Sequence, residues 1–399
     1  MGTTLNDTPS GNRVHIAFFG RMNSGKSSLI NALAGQEVSI VSEVSGTTTD
    51  PVKKPMEIHG IGPCVLMDTA GFDDKGDLGE RRVAMAKQAA AQADMAALLF
   101  TDDDFTLEKL WSDYFEKKNT PVLLVVSKAD ALEDAAGLAE KIKGAFHKEP
   151  VLVSAKTKKG MDELKKALIE TASAACEERT ITGDLAREGD VALLVMPQDI
   201  QAPKGRLILP QVQTIRELLD KKCVVVSATT DQLEQALAAL GKPPKLIITD
   251  SQAYRAVYEK KPKESLLTSF STLFAAYKGD IRYFIEGAKT IGGLTEKDKV
   301  LIAECCTHAP LDEDIGRIKL PRLLRKKAGE GLTVDIVAGM DFPKDLSGYR
   351  LVVQCGACMF NRKYVMSRVD MAKSQHTPMT NYGVAIAYLN GILDQVATP

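Results

Sequence analysis

The sequence predicts an α/β chain of three domains, with boundaries at 1–176, 177–262 (its first part, 177–190, a linker) and 263–399. Three observations carry that prediction. Apolar strands alternate with amphipathic helices along 1–176, the pattern of a mostly parallel sheet covered on both faces. A glycine-bounded loop, Gly20-Arg-Met-Asn-Ser-Gly25-Lys26-Ser27, joins an apolar run to a helix-forming one, the strand, loop and helix order of a phosphate-binding loop. A second α/β segment and a cysteine-bearing third follow the polar stretch Glu177–Gly189.

At 399 residues the chain is too long for one core. Its net charge is −1, from 51 basic and 52 acidic residues, so nothing electrostatic points to nucleic acid or an anionic membrane. No apolar run approaches the ~18 residues of a transmembrane helix. Met1–Asn12 is polar and lacks the sections of a signal peptide, so a cytoplasmic protein is expected. Seven cysteines are too few for a disulfide scaffold, and Cys305, Cys306, Cys355 and Cys358 all fall in the last quarter.

In the first domain strands are expected at Val14–Phe19, Pro55–His59, Cys64–Met67, Met95–Phe100, Pro121–Val126 and Val151–Val153. Helices are expected at Lys26–Ala34, Arg81–Ala93, Leu107–Lys118, Leu132–Phe146 and Met161–Ala175. Ligands of such sheets bind at the carboxyl ends of the strands, and the motifs fall there. Gly20 and Gly25 let backbone N–H groups approach phosphate oxygens, with Asn23, Ser24 and Ser28 among the nucleotide-binding positions. Lys26 supplies a point charge for the β- and γ-phosphates and Ser27 a hydroxyl for Mg²⁺. Asp68-Thr-Ala-Gly71 places a carboxylate for the Mg²⁺ shell and an N–H for the γ-phosphate. Ser127-Lys128-Ala-Asp130 offers a carboxylate that accepts from the N1–H and 2-amino group of guanine, a pair of donors that adenine lacks. Ser154-Ala155-Lys156 offers a backbone N–H to the guanine carbonyl.

On these four motifs the first domain resembles the P-loop GTPases of the translation-factor class, and a TrmE/Era-like fold is expected. Gly46-Thr-Thr48-Thr-Asp50 looks like the first switch of the potassium-activated tRNA-modification GTPases. That resemblance makes Thr48 a Mg²⁺ ligand, Asn23 a ligand for K⁺ in place of an arginine finger, and Glu80, in the second switch Phe72–Arg81, the residue that orients the attacking water. Lys26, Thr48 and Glu80 are thus the expected catalytic set. Ser127 stands where the guanine-reading motif usually has Asn, so modest nucleotide affinity is expected while Asp130 keeps specificity.

The middle segment is expected to hold strands at Val191–Met196, Leu207–Leu209, Cys223–Ser227 and Leu246–Thr249 and helices at Gln211–Asp220, Asp231–Leu240 and Ser251–Tyr258. It has no phosphate loop and no clustered acids, and reads as an association domain whose edge strand pairs with a second copy. Beyond Lys260–Lys263, Cys306-Thr-His308 follows a stretch read as helix, Thr295–Glu304, and Cys355-Gly-Ala-Cys358 follows the strand Arg350–Val353. Cys306, Cys355 and Cys358 with His308 make a four-ligand set that suits tetrahedral Zn²⁺ or a cubane iron–sulfur cluster, and spacing does not choose between them. Gly356 is read as relieving the tight loop, and Cys305, adjacent to Cys306, is expected in the core.

The order of a GTPase domain, a middle α/β domain and Cys-x-His followed by Cys-x-x-Cys resembles the FeFe-hydrogenase maturation GTPases (HydF) over essentially the whole chain. The resemblance implies a 4Fe–4S cluster on Cys306, Cys355 and Cys358, with His308 the candidate fourth ligand. At Gln354 the family has a second histidine, and an amide is a poor ligand for iron. It also implies GTP and GDP with Mg²⁺ as cofactors and a scaffold that receives a diiron precursor from radical-SAM maturases and delivers it to apo-hydrogenase as a homodimer. The alternative is a tRNA-modification or ribosome-assembly GTPase with a structural zinc site, and the balanced charge counts against it. A redox switch through Cys355 and Cys358 is a further alternative. Ala338–Pro343 also looks familial, with no derived role.

Overall fold

The computed structural model describes residues 10–35, 52–71, 77–175, 179–198, 207–305 and 314–399. Thr48, Cys306, His308 and the side chain of Glu80 lie outside the described residues. The chain divides into two compact units, Met1–Glu177 and Glu178–Pro399.

The first unit runs β1 (Val14–Phe19), α1 (Lys26–Ala34), β2 (Val52–Ile58), β3 (Gly62–Asp68), α2 (Asp77–Gln92), β4 (Met95–Phe100), α3 (Thr106–Lys117), β5 (Val122–Val126), α4 (Ala135–Phe146), β6 (Val151–Leu152) and α5 (Met161–Ala175). Its six strands lie in the order β2-β3-β1-β4-β5-β6, all parallel except β2, which pairs antiparallel with β3. The central strand Met95–Phe100 is buried at every residue, as a strand covered on both faces must be. On one face Phe19 packs against Trp111 and Phe115, with ring centroids 5.1 and 4.9 Å apart. On the other, Phe18, Leu66, Leu99 and Val125 meet Leu29 and Leu33 of α1 and Leu164 and Leu168 of α5. Helix α4 starts three residues later than expected, because the Asp134 carboxylate accepts from Gly137 N–H and caps it there.

The second unit holds two four-stranded sheets. The middle sheet is built from β7 (Val191–Val195), α6 (Leu209–Asp220), β8 (Val224–Ala228), α7 (Leu233–Ala239), β9 (Leu246–Thr249), α8 (Tyr254–Lys260) and β10 (Leu266–Ser269), in the order β10-β9-β7-β8 and parallel throughout. Helices α9 (Phe270–Lys278) and α10 (Ile281–Lys289) follow. The terminal sheet holds β11 (Lys299–Ala303), α11 (Leu320–Ala328), β12 (Thr333–Val337), β13 (Leu351–Gln354), α12 (Arg362–Ser374), β14 (Met379–Asn381) and α13 (Tyr382–Leu389), in the order β12-β11-β13-β14, again parallel. Ala387 and Ile392 pack into the core of the middle sheet with Leu193, Ile247 and Val257, so the two sheets share apolar interior.

Four expectations are corrected. Thr295–Glu304 is not a helix: Lys299–Ala303 is a strand between β12 and β13, fully buried from Val300 on, and a short apolar run of that kind carries no period to distinguish it from a helix. Leu207–Leu209 is not a strand, because Gln211 accepts from the Ile208 N–H and closes the first turn of α6. Leu266–Ser269 pairs with β9, so the middle sheet extends past the expected boundary at 262. The left-handed residue of the cysteine loop is Ala357, with φ of 50°, while a Cβ at Gly356 would meet nothing.

Helix α10 crosses β14 at Gly287, where a Cβ would sit 2.0 Å from the carbonyl oxygen of Met379. Gly287→Ala is expected to lower stability by about 2–3 kcal/mol, the cost of overpacking against an unyielding backbone, read by urea denaturation.

Candidate functional site

The phosphate loop leaves the carboxyl end of β1. Gly25 has φ of 90°, and a Cβ on it would come 2.9 Å from the Ser127 hydroxyl, so a side chain is excluded on both counts. A Cβ on Gly20 would come 3.1 Å from Leu99 Cβ on the neighbouring strand. Asn23 sits at φ 60° at the exposed apex of the loop. Lys26 is buried, and its Nζ donates to the carbonyls of Gly20 (3.0 Å) and Arg21 (2.8 Å) and to Ser24 Oγ (3.4 Å), which holds the ammonium at the centre of the loop. Ser28 is exposed on the first turn of α1.

Ser27 Oγ donates to Asp68 Oδ2 at 2.5 Å. The pair joins the start of α1 to the end of β3 and brings a hydroxyl and a carboxylate to one point beside Lys26, the oxygen chemistry that suits Mg²⁺. Burial raises the affinity of Asp68 for its proton, against the opposing pull of Ser27 and Lys26. Thr69 Oγ1 donates to Phe18 O at 2.6 Å and ties the strand end before Gly71 to β1.

At the ends of β5 and β6 the structure gathers Ser127, Lys128, Asp130 and Ser154. Lys128 has φ of 54°, and its aliphatic stem lies over Gly25, with Cε 3.6 Å from a Cβ placed there. The Ser154 hydroxyl hydrogen-bonds the exposed Asp130 carboxylate and lowers its proton affinity. Ser154 Oγ also accepts from Thr157 N–H at 3.0 Å, which fixes the loop that carries Ala155 and Lys156.

Sequence reasoning missed Arg21. Its Nε donates to Glu108 Oε1 of α3 at 2.9 Å, its Nη2 lies 2.9 Å from Asp104 Oδ2, and it also donates to the Asp104 carbonyl. Glu108 is 3% exposed and Arg21 ties the second residue of the phosphate loop to that helix. The partners share no motif and stand 87 positions apart, so no local signal marks them.

In the second unit, Cys355 leaves β13 beside Cys305, which leaves β11. The adjacent strands put them in register, with Ala303 opposite Gln354 and Cys355 N–H donating to Ala303 O at 3.0 Å. Cys305 is buried against Ala357 and Val365, in the core as expected, yet it also touches Cys355. Cys355 Sγ accepts from the Cys305 N–H (3.1 Å) and the Ala357 N–H (3.4 Å). Hydrogen bonding by the Cys305 thiol, then these N–H groups, makes Cys355 the more acidic of the two, while the same contact and burial push Cys305 up.

Two cations back this loop. Lys278 of α9, 2% exposed, donates from Nζ to the carbonyls of Ala357 (3.0 Å), Cys358 (3.4 Å) and Phe360 (2.8 Å). Arg368 of α12, also 2% exposed, donates to Cys305 Sγ (3.3 Å), Gln354 Oε1 (3.0 Å), Gly339 O (2.6 Å) and Tyr364 Oη (3.0 Å). Buried cations and N–H donors aimed at sulfur fit an anionic group held by thiolates. Among the described residues no set of three His, Cys, Asp or Glu is arranged for a metal ion, and Cys306 and His308 lie outside them.

A phosphate loop, a Ser–Asp pair beside its lysine and a guanine-type carboxylate, all at the ends of one parallel sheet, make the first unit a P-loop GTPase domain. Residues 15–128 match the 50S ribosome-binding GTPase family, residues 181–279 the hydrogen maturase F dimerization domain and residues 282–399 the hydrogen maturase F tetramerization domain. The chain belongs to the hydrogen maturase F (HydF) family, and its second unit consists of that family's two oligomerization domains.

A curated relative, the tRNA modification GTPase MnmE of Chromobacterium violaceum, is 37% identical over 160 residues, 39% of this chain and 34% of that protein. The chain thus spans about a third of the length of the curated relative it matches. Among solved structures, Era of Aquifex aeolicus is 19% identical with a TM-score of 0.36, covering 57% of this chain and 98% of its own. The FeoB G-domain of Methanococcus jannaschii is 23% identical with a TM-score of 0.31, covering 40% of this chain and 98% of its own. No helix among the described residues is long and apolar enough to cross a membrane.

Arg21→Met strands the buried Glu108 carboxylate. A loss of about 2–3 kcal/mol is expected in denaturant unfolding, below the figure for a fully enclosed pair because Arg21 is partly solvated, with a smaller loss for Glu108→Gln.

Proposed function

We propose that this protein is a GTP-hydrolysing scaffold that holds a 4Fe–4S cluster and carries a diiron precursor, its cargo, from radical-SAM maturases to apo-FeFe-hydrogenase in the cytoplasm. The observation that carries the reading is the joining of a P-loop GTPase domain to both hydrogen maturase F domains in one chain. The likeness to MnmE is confined to a stretch the length of the first domain, so it supports the nucleotide chemistry and not a role on tRNA.

In this reading Lys26 turns from the loop carbonyls to the β- and γ-phosphates, and Ser27, Asp68 and Thr48 hold Mg²⁺. Gly20, Ser24, Gly25 and Ser28 line the phosphates, with the Gly71 N–H on the γ-phosphate. Asn23, at the exposed apex of the loop, holds K⁺, and Glu80 orients the attacking water. Asp130 reads guanine, with Lys128 over one side of the base and Ser154, Ala155 and Lys156 closing the pocket.

Cys306, Cys355 and Cys358 hold the cluster, with His308 as the exchangeable fourth ligand. When bound, the cluster supplies an open iron coordination position for the cargo. Chain residues do the rest: the Cys305 and Ala357 N–H groups orient Cys355, and Lys278 fixes the carbonyls of the loop that bears Cys358. We place the boundary between the association and cluster-bearing domains near Gly279, after the sheet that ends in β10. The exposed edge of β8, where Val224 is 54% accessible, pairs with a second copy. Nucleotide state acts through Thr48 and the second switch, Phe72–Arg81, and so alters docking of partners.

Two measurements test this. Anaerobic reconstitution with iron and sulfide should give a cubane-type EPR signal on reduction, and Cys355→Ser should lose it; stoichiometric zinc with no signal would sink the cluster reading. Lys26→Ala should lower GTP turnover at least ~100-fold while bound iron stays unchanged, since transition-state charge stabilisation of this kind is worth roughly that much. Iron lost together with turnover would mean that the two domains are coupled through stability.

A further inference from the structure

Arg368 is a buried cation with no carboxylate in ion-pairing reach among the described residues. Each of its hydrogen-bond acceptors is neutral in its ordinary state: the Cys305 thiol, the Gln354 amide oxygen, the Gly339 carbonyl and the Tyr364 hydroxyl. Its Nε is buried and has no hydrogen-bond partner among the described residues. The buried carboxylate at the end of β11, Glu304, is taken by Arg317 at 3.0 Å.

The guanidinium is held between two rings, with Cζ 4.8 Å from the Phe342 centroid and 4.7 Å from that of Tyr364. This gives the Ala338–Pro343 stretch a role: Gly339 and Phe342 seat Arg368. Ring faces and neutral dipoles offset only part of the cost of desolvating a cation, so among the described residues the guanidinium keeps a positive charge that no carboxylate balances. Arg368 reaches Cys305, whose N–H donates to Cys355 Sγ, from the α12 side, and Lys278 reaches the loop that bears Cys355 and Cys358 from α9, both 2% exposed.

We propose that Arg368 is the positioning residue and counter-charge of the thiolate-held iron–sulfur centre, and that it sets the reduction potential of that centre. The inference rests on the cluster reading given above. Three thiolates on the oxidised cubane core leave a net charge of about −1, and uptake of one electron takes it to about −2. A fixed neighbouring cation therefore favours the reduced state, and its removal moves the potential to more negative values.

The test is EPR-monitored redox titration of the reconstituted full-length protein, with iron content measured alongside, for the wild type, Arg368→Met, Arg368→Gln and Arg368→Lys. Both neutral variants should keep the cluster and lower the ratio of reduced to oxidised centre at a fixed poise at least ~tenfold, about 59 mV for one electron. The glutamine variant keeps amide donors toward Cys305 and decides the matter should the methionine variant fail to fold. Arg368→Lys, which restores the charge, should titrate close to the wild type. Neutral variants with the wild-type potential, or a lysine variant displaced as far as methionine, would overturn the proposal. A wild-type protein that takes up no cluster fails the cluster reading itself, a different result from a cluster whose potential ignores position 368.

Discussion

Parallel strands exhaust their backbone hydrogen bonds along their length, so chemistry collects where they end. In the first unit the loops after β1, β3, β5 and β6 bring Lys26, Asp68, Asp130 and Ser154 to one edge of one sheet. The terminal sheet repeats the arrangement: Cys305 follows β11, Gly339 follows β12 and Cys355 follows β13. The parallel register of β11 and β13 brings the two cysteines together although 50 positions separate them. One topological rule thus sets the place of both candidate sites.

What was legible in the sequence follows from how local each signal is. The phosphate loop, Asp68 and the Ser127–Asp130 motif are short, have fixed order and stand at strand ends, so they read directly. The Cys-x-x-Cys pair reads for the same reason. Lys299–Ala303 did not, because a short run buried between two strands carries no period. Leu266–Ser269 was overlooked for a similar cause: its identity as a strand rests on pairing with β9 and not on its own pattern. Arg21, Lys278 and Arg368 are single basic residues within polar or helical stretches, where a solvated side chain is the usual reading. Only tertiary packing shows that the last two are enclosed.

The cysteine loop also shows where strain is accepted. Ala357 carries the left-handed conformation although Gly356 stands beside it, and its methyl group packs against Cys305 and Val365. The side chain is kept because it fills the core behind the thiols, while the N–H of the same residue points at Cys355 Sγ. Ser127 presents a comparable exchange in the first unit, since its short hydroxyl is what lies against Gly25.

Helix α9 starts where the last strand of the middle sheet stops and ends at Lys278, whose ammonium grips three carbonyls of the cysteine loop. Its 9 residues make a strut about 13 Å long that bends little. The dimerization sheet and the sulfur-bearing loop are therefore braced against each other, by this short strut as well as by the apolar interior that the two sheets share.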